Sequence, residues 1–398
     1  MSKTKLIVMV PTPAMGHLPS TVEFAKLLVQ RDQHISILLV ILHSPFIITS
    51  KAIDAYIESQ SLETDPNRIT FYTFPPVVVP NNDPPSPNFL STIIELQKPL
   101  VKKAVEDQGT KPAAFVLDMM YVSMMDVASE LDVPSYVYFT SGANLLSVFL
   151  HAQSLYDYEG VDIIFTEFVD PMPKQEQDPV GPILSLDGRS QHEVQDQDLV
   201  MEWLDEQPLS SVVFLCFGSM GGFDVDQVTE IANGLDRSGF RFLWSLIEAL
   251  PEGFVDRMAH RGKIIKWAPQ VQILAHRAIG GFVTHCGWNS ILESLWFGVT
   301  MATWPMCADQ QLNAFELVKE LGLAVEISIN YRLNFMIGKG NYLVTAEEVE
   351  NEVKRLMNMD EEIIERVREI SDFSRKALKD GGSSNYELIR FVEDVLHN

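Results

Sequence analysis

The chain alternates short, unbroken apolar runs with longer segments whose apolar residues recur every three or four positions. "KLIVMV" (5–10) precedes "STVEFAKLLVQR" (20–31), and "HISILLVIL" (34–42) follows. "AAFVLD" (113–118) precedes "SMMDVASEL" (123–131), and "SYVYF" (135–139) precedes "ANLLSVFLHAQ" (143–153). Apolar runs without polar alternation predict strands buried on both faces, and the 3.6-residue period between them predicts crossover helices. Together they predict a parallel α/β sheet with helices on both faces.

Between residues 169 and 198 the pattern lapses into "VDPMPKQEQDPVGPILSLDGRSQHEVQDQD", rich in Pro, Gly, Gln and Asp, the composition of a linker. A second series then begins: "SVVFLCFGS" (211–219), the helix "DQVTEIANGLDRSG" (226–239), "FRFLWSL" (240–246), "GKIIKWAP" (262–269), "IGGFVTH" (279–285) and "TMATWP" (300–305). The pattern predicts two doubly wound domains, residues 1–172 and 201–372, joined by a linker at 173–200. From Thr345 the tail is helical and charged, with Gly381 and Gly382 breaking it before a last helix.

Length and composition agree with two domains. At 398 residues the chain is long for one core, and 46% apolar with 21% charged residues is the profile of a globular protein. The 54 acidic against 30 basic residues give a net charge of −24, which repels nucleic acid and anionic membrane. Pro11 and Pro13 cut the first apolar run short of a signal sequence, and no segment reaches the roughly 18 apolar residues of a membrane helix. The three cysteines, Cys216, Cys286 and Cys307, are an odd number on or near apolar segments, which points to reduced thiols and a cytoplasmic location.

Ligands of open parallel sheets bind beyond the carboxyl ends of the strands. That rule selects His17, Asp118, Thr140, Ser141, Gly218, Ser219, Trp267, His285 to Ser290, Asp309 and Gln310. His17 has the right pKa range for a general base, and Asp118, ending a strand expected nearby, is placed to orient it. No Gly-x-Ser-x-Gly elbow supplies a serine nucleophile. His276, His285 and Cys286 lack the paired short spacings of a zinc site, so no metal is expected. "HCGWNS" (285–290) joins a strand to a helix whose N-terminal N–H groups suit a phosphate. Ser290 and Glu293 are also spaced as a capping box, which would satisfy the same helix end without a ligand. Neither Gly-x-Gly-x-x-Gly nor Gly-x-x-x-x-Gly-Lys-Ser/Thr is present, which disfavours an NAD-type dehydrogenase and phosphoryl transfer; "FGSMGG" (217–222) matches neither.

The segment from Trp267 to Gln310, "WAPQVQILAHRAIGGFVTHCGWNSILESLWFGVTMATWPMCADQ", closely resembles the signature box of plant secondary-product UDP-glycosyltransferases (family 1). "PTPAMGHLPS", "FVLDMM", "YFTSGA" and "VVFLCFGSMG" resemble further landmarks of that family, so the likeness spans nearly the whole chain. It implies the GT-B fold, two Rossmann-like domains facing a cleft, with the last helix, 373–398, packing back on the first domain. It implies Trp267 stacked on uracil, Ala268 and Gln270 at its edge or the ribose, and Glu293 on the ribose hydroxyls. His285, Asn289, Ser290 and Ser219 would then hold the diphosphate, and Trp288, Asp309, Gln310 and Thr140 the sugar, with Gln310 favouring glucose.

The implied reaction is a metal-independent, cofactor-free, inverting transfer from UDP-glucose or a related UDP-sugar by a monomer, with His17 and Asp118 as the catalytic pair. The acceptor would be a lipophilic hydroxyl compound, a flavonoid, another phenolic or a triterpenoid, in a pocket lined by Met15, Phe74, Phe89, Met119, Met120 and Phe149. The chain departs from the resembled pattern in lacking βα structure between Pro173 and Pro179, in a short loop between Leu246 and Pro251, and in Thr300 for a proline. Genuine losses of that size make a non-catalytic UDP-sugar-binding protein the alternative.

Overall fold

The computed structural model describes residues 4–43, 50–78, 89–159, 181–186, 194–218, 222–334 and 338–397. They form two compact units, one of Met1–Thr140, Gln175–Ser185 and Leu378–Asn398, the other of Ser141–Lys174 and Leu186–Ala377.

Unit 1 holds a five-stranded parallel sheet of β1 (Lys5–Val10), β2 (Ile35–Leu42), β3 (Ile69–Phe74), β4 (Ala114–Asp118) and β5 (Ser135–Tyr138), in the order β3-β2-β1-β4-β5. Strand β1 lies between β2 and β4, with Val8 opposite Leu38 on one side and Phe115 on the other. Alternate residues serve two cores: Ile7 and Met9 enter one, Leu6, Val8 and Val10 the other. Burial on both faces is why this strand reads as a continuous apolar run. The first core is completed by the final helix Ser383–His397, through Leu388, Val392 and Val395, and Arg31 donates to the Asn385 carboxamide at 2.7 Å. Strand β3 has no counterpart among the runs singled out above: its polar and half-exposed positions, "ITFYTF", are those of a sheet edge.

Unit 2 holds six parallel strands: β6 (Val212–Cys216), β7 (Arg241–Ser245), β8 (Gly262–Ile265), β9 (Ile279–Thr284), β10 (Met301–Thr303) and β11 (Ala324–Glu326), in the order β11-β10-β9-β6-β7-β8. A short antiparallel pair, β12 (Leu333–Asn334) and β13 (Lys339–Gly340), lies apart from it. Again the faces alternate, with Val213 and Leu215 in one core and Val212, Phe214 and Cys216 in the other. The helix Val225–Ser238 starts at an Asp224 cap and stops at Gly239, whose φ of +79° only glycine adopts without strain. Thr345 and Glu348 form a complete capping box on the helix Ala346–Met357. The helix Ala143–Glu159, which the sequence reading assigns to the first domain, groups with unit 2: Gly142, just ahead of it, lies against Trp288. Among the described residues no helix is long and apolar enough to cross a membrane.

Each sheet order reverses once, between β1 and β4 in unit 1 and between β9 and β6 in unit 2. At such a reversal the connections leave in opposite directions and open a crevice at the carboxyl ends of the two central strands.

Candidate functional site

The reversal in unit 1 brings His17 and Asp118 together. After β1 the chain turns back so that His17 N–H bonds to the Ala14 carbonyl at 2.9 Å. His17 then takes the cap position of the helix Leu18–Arg31, with Pro19 in the first turn and the imidazole free of any capping bond. Asp118 is the last residue of β4, paired one strand away. His17 Nδ1 is 2.8 Å from Asp118 Oδ2, while Thr12 Oγ1 and the Met120 N–H donate to Oδ1 at 2.7 and 2.9 Å.

The Asp118 side chain is fully buried, whereas His17 keeps 22% of its side chain exposed. Burial by itself would raise the Asp118 carboxyl, but the hydrogen bond and charge of His17, with the Met120 N–H and the Thr12 hydroxyl, outweigh it and hold the group below its ordinary value. An ionised Asp118 only accepts, so Nδ1 carries the ring proton and Nε2 the lone pair. Thr140 Oγ1 is 2.7 Å from the same Nδ1. Thr140 thus lies beside the His17 ring in unit 1.

The reversal in unit 2 brings the ends of β9 and β6 together, with Cys216 opposite Thr284. His285 therefore lies beside Gly218, and its ring is wedged between two glycines. A Cβ at Gly218 would stand 2.7 Å from His285 Nε2, and one at Gly287 2.6 Å from it. His285 Nδ1 is buried with no hydrogen-bond partner. Burial lowers the ring to about 4, opposed only in part by the Asp309 charge, so the imidazole is neutral at pH 7. Cys286 adopts φ +63°, is buried, and turns the chain into the helix Trp288–Phe297. Its Sγ donates to the Thr284 carbonyl at 3.6 Å, and burial pushes the thiol far up, so this cysteine is a structural hinge and not a nucleophile.

The capping box proposed for Ser290 and Glu293 does not form. The cap is Gly287, which has no side chain to offer, and the helix start carries no side-chain capping bond. Ser290 and Glu293 lie inside the helix and are joined from outside by Gln270, whose Nε2 donates to Ser290 Oγ at 2.9 Å and to Glu293 Oε2 at 2.8 Å. Burial pushes Glu293 up to about 7, with the Gln270 bond opposing. The helix start without a side-chain cap and the orphaned His285 Nδ1 are thus a fit for an anionic group.

Other donor-site candidates lie on the same unit. Trp267, just beyond β8, is 48% exposed and offers an indole face, and Ala268 packs against the core below it. Trp288 and Asn289 are half-buried in the first turn of the helix. Asp309 Oδ2 accepts from Ser141 Oγ at 2.5 Å and Asn313 Nδ2 at 3.0 Å. Gln310 turns its Oε1 back onto the Met306 and Cys307 N–H groups at 2.9 and 3.0 Å, leaving its amide NH₂ as the free end. Ser219 lies outside the described residues. Thr300, the departure from the resembled box, is buried and donates its hydroxyl to the Gly280 carbonyl at 3.4 Å.

The acceptor-side expectations divide. Met15 is half-buried against the unit 1 core, Met119 is half-buried, and Met120 is 40% exposed beside Asp118. Phe74 ends β3, is buried, and packs with Tyr72 in the core. Phe149 is exposed, but on the helix that groups with unit 2. The Phe89 side chain lies outside what the structure describes. Sequence reasoning missed Thr12 and Asn313; the spacing of Asn313 four residues after Asp309 on one helix face is the signal that could have found it.

Residues 190–371 match the family model described as UDP-glucoronosyl and UDP-glucosyl transferase. The chain is 39% identical to UDP-glucose flavonoid 3-O-glucosyltransferase 6 of Fragaria ananassa, covering 99% of each chain. That match runs over 488 aligned positions, more than the 398 residues present, so stretches of the relative have no counterpart here. The fold matches a Medicago truncatula protein solved with UDP-glucose, at TM-score 0.85 and 34% identity over 98% of both chains. It also matches a UGT transferase of Siraitia grosvenorii solved with UDP, at TM-score 0.83 and 37% identity over 99% and 100% of the two chains. The chain belongs to the family 1 UDP-glycosyltransferases of plants, GT-B enzymes that take a UDP-sugar as donor.

Proposed function

We propose that this enzyme transfers glucose, with inversion, from UDP-glucose to a hydroxyl of a lipophilic small molecule, a flavonoid, another phenolic or a triterpenoid. The observation that carries the reading is the His17 Nδ1 bond to buried Asp118, which leaves Nε2 as a base on a partly exposed ring. Nε2 takes the proton of the acceptor hydroxyl. Its oxygen forms the new bond to the anomeric carbon, the bond from that carbon to the β-phosphate oxygen breaks, and UDP leaves with the electron pair. Asp118 stabilises the imidazolium that forms.

The donor roles follow the chemistry of each group. The exposed Trp267 face stacks the uracil, with Ala268 and Gln270 at its edge, and Glu293 accepts from the ribose hydroxyls. His285, Asn289, Ser290 and the helix N–H groups meet the diphosphate and its growing negative charge, the kind of fixed-dipole stabilisation that favours a departing anion. Trp288, the second oxygen of Asp309 and the Gln310 amide meet the sugar. The flavonoid glucosyltransferase of Fragaria and the Medicago protein holding UDP-glucose support the choice of donor and acceptor. All three thiols are free, which supports a reducing compartment such as the cytoplasm.

The test is product mass spectrometry with a phenolic and triterpenoid panel and several UDP-sugars, run on the wild type and on His17→Ala. A positioned general base supplies about 10²–10⁴-fold. His17→Ala is expected to lose at least that much transfer while binding UDP as before, and near-wild-type transfer by His17→Ala overturns the assignment. UDP-sugar binding by the wild type with no product from any acceptor would instead favour the non-catalytic binder, the reading to which the unmatched stretches of the Fragaria relative point.

A further inference from the structure

We propose that Asn313 is a positioning residue of the donor site, its one carboxamide holding the turn that meets the diphosphate and the carboxylate that meets the sugar in a single frame. Asn313 is 2% exposed, on the short helix Gln310–Phe315, one turn after Asp309. Its Nδ2 carries two hydrogens and has two acceptors, the Cys286 carbonyl at 3.1 Å and Asp309 Oδ2 at 3.0 Å.

Each bond sets something that a ligand would read. In a trans peptide the C=O and the following N–H point to opposite sides. Drawing the Cys286 carbonyl toward Asn313 therefore turns the Gly287 N–H the other way, at the start of the uncapped helix. Cys286 is held at φ +63°, a backbone state that a cysteine keeps only when its surroundings impose it. On the other side, Asp309 Oδ2 is filled by two donors, Asn313 and the Ser141 hydroxyl. That leaves Oδ1 as the oxygen turned to a sugar hydroxyl. The frame thus depends on donors on Oδ2, one from Asn313 and one from Ser141.

This inference rests on the reading of His285–Glu293 as the diphosphate site and Asp309 as a sugar contact. It is tested by calorimetric titration of the full chain with UDP and with UDP-glucose, for wild type, Asn313→Ala, Asp309→Ala and the double variant, with Tm recorded for each. Asn313→Ala is expected to weaken UDP a few-fold through the turn, and UDP-glucose about tenfold more than UDP. In the Asp309→Ala background, Asn313→Ala should weaken UDP-glucose and UDP equally, because the carboxylate it positions is gone. A lowered Tm with UDP and UDP-glucose weakened in parallel in the single variant is the signature of packing alone and overturns the proposal; so does full additivity. If Asn313→Ala does not fold, Ser141→Ala removes the other donor to Oδ2. It should weaken UDP-glucose and spare UDP, and unchanged affinity for both overturns the proposal. Failure of the wild type to bind UDP-glucose at all would strike the functional reading itself, which separates the two.

Discussion

Glu293→Gln separates a ligand contact from a packed helix residue by opposite effects on stability and binding. Burial holds the Glu293 proton to about 7 against an ordinary value of 4.5. Between those two values the folded protein keeps a proton that the unfolded chain has released, so stability is lost as pH rises through the interval. The loss attributable to this one carboxyl is about 1 kcal/mol at pH 5.5 and about 3 kcal/mol at pH 8. Glutamine keeps the shape and can still accept from Gln270 Nε2, but it has no proton to lose. The ligand-free variant should therefore be more stable than wild type, by a margin that widens by about 2 kcal/mol from pH 5.5 to pH 8. For a protein of this size that is a Tm gap growing by about 2–3 °C. Asp118, held below its ordinary value, contributes a constant amount across this range and does not distort the comparison. Ribose hydroxyls, however, bond more strongly to a carboxylate than to an amide. UDP-glucose should bind the variant about tenfold more weakly at pH 8. Differential scanning fluorimetry against pH, with and without UDP-glucose, reads both. Parallel Tm curves refute the burial argument, and a stabilised variant with undiminished UDP-glucose affinity refutes the ribose contact.

Two glycine substitutions test the packing on which the site depends. Gly287→Ala is compatible with the backbone, at φ −61°, but its methyl would stand 2.6 Å from His285 Nε2, and Gly218 blocks the ring's retreat. A loss of about tenfold or more in UDP affinity is expected with Tm nearly unchanged; unaltered UDP affinity in calorimetry would show that the ring does not face the ligand. Gly234→Ala lies far from that chemistry, where the helix Val225–Ser238 meets the helix Ala346–Met357. Its methyl would stand 2.6 Å from Val349 Cβ and 2.8 Å from the Ala346 carbonyl, neither of which can swing aside. Overpacking of about 1–3 kcal/mol outweighs the gain in helix propensity. Tm should fall by about 1–4 °C while the folded fraction binds UDP normally, and a raised Tm would refute the close approach.

What the sequence discloses and what it hides differ in kind. Strands buried on both faces must be apolar throughout, so "KLIVMV" and "SVVFLC" announce themselves, and the order of runs and helical periods announces the parallel sheets. An edge strand has no such obligation, which is why "ITFYTF" passes unnoticed. His17 and Asp118 were legible because strand ends at a reversal of sheet order are where ligands sit, a rule that needs only the order of elements. The Ser290–Glu293 spacing misled because a capping box is a statement about where the helix begins. The left-handed Cys286 starts the helix at Trp288 and turns both residues into its interior. Their true partner, Gln270, is some twenty residues away in sequence, and Asn313 reaches Cys286 across twenty-seven. The first follows from the packing of the helix Gln270–Leu274 on the helix Trp288–Phe297 and the second from the neighbouring of β9 with β10, not from any local period. A sequence motif thus names the residues that a ligand would touch, while the buried amides that aim them belong to the fold.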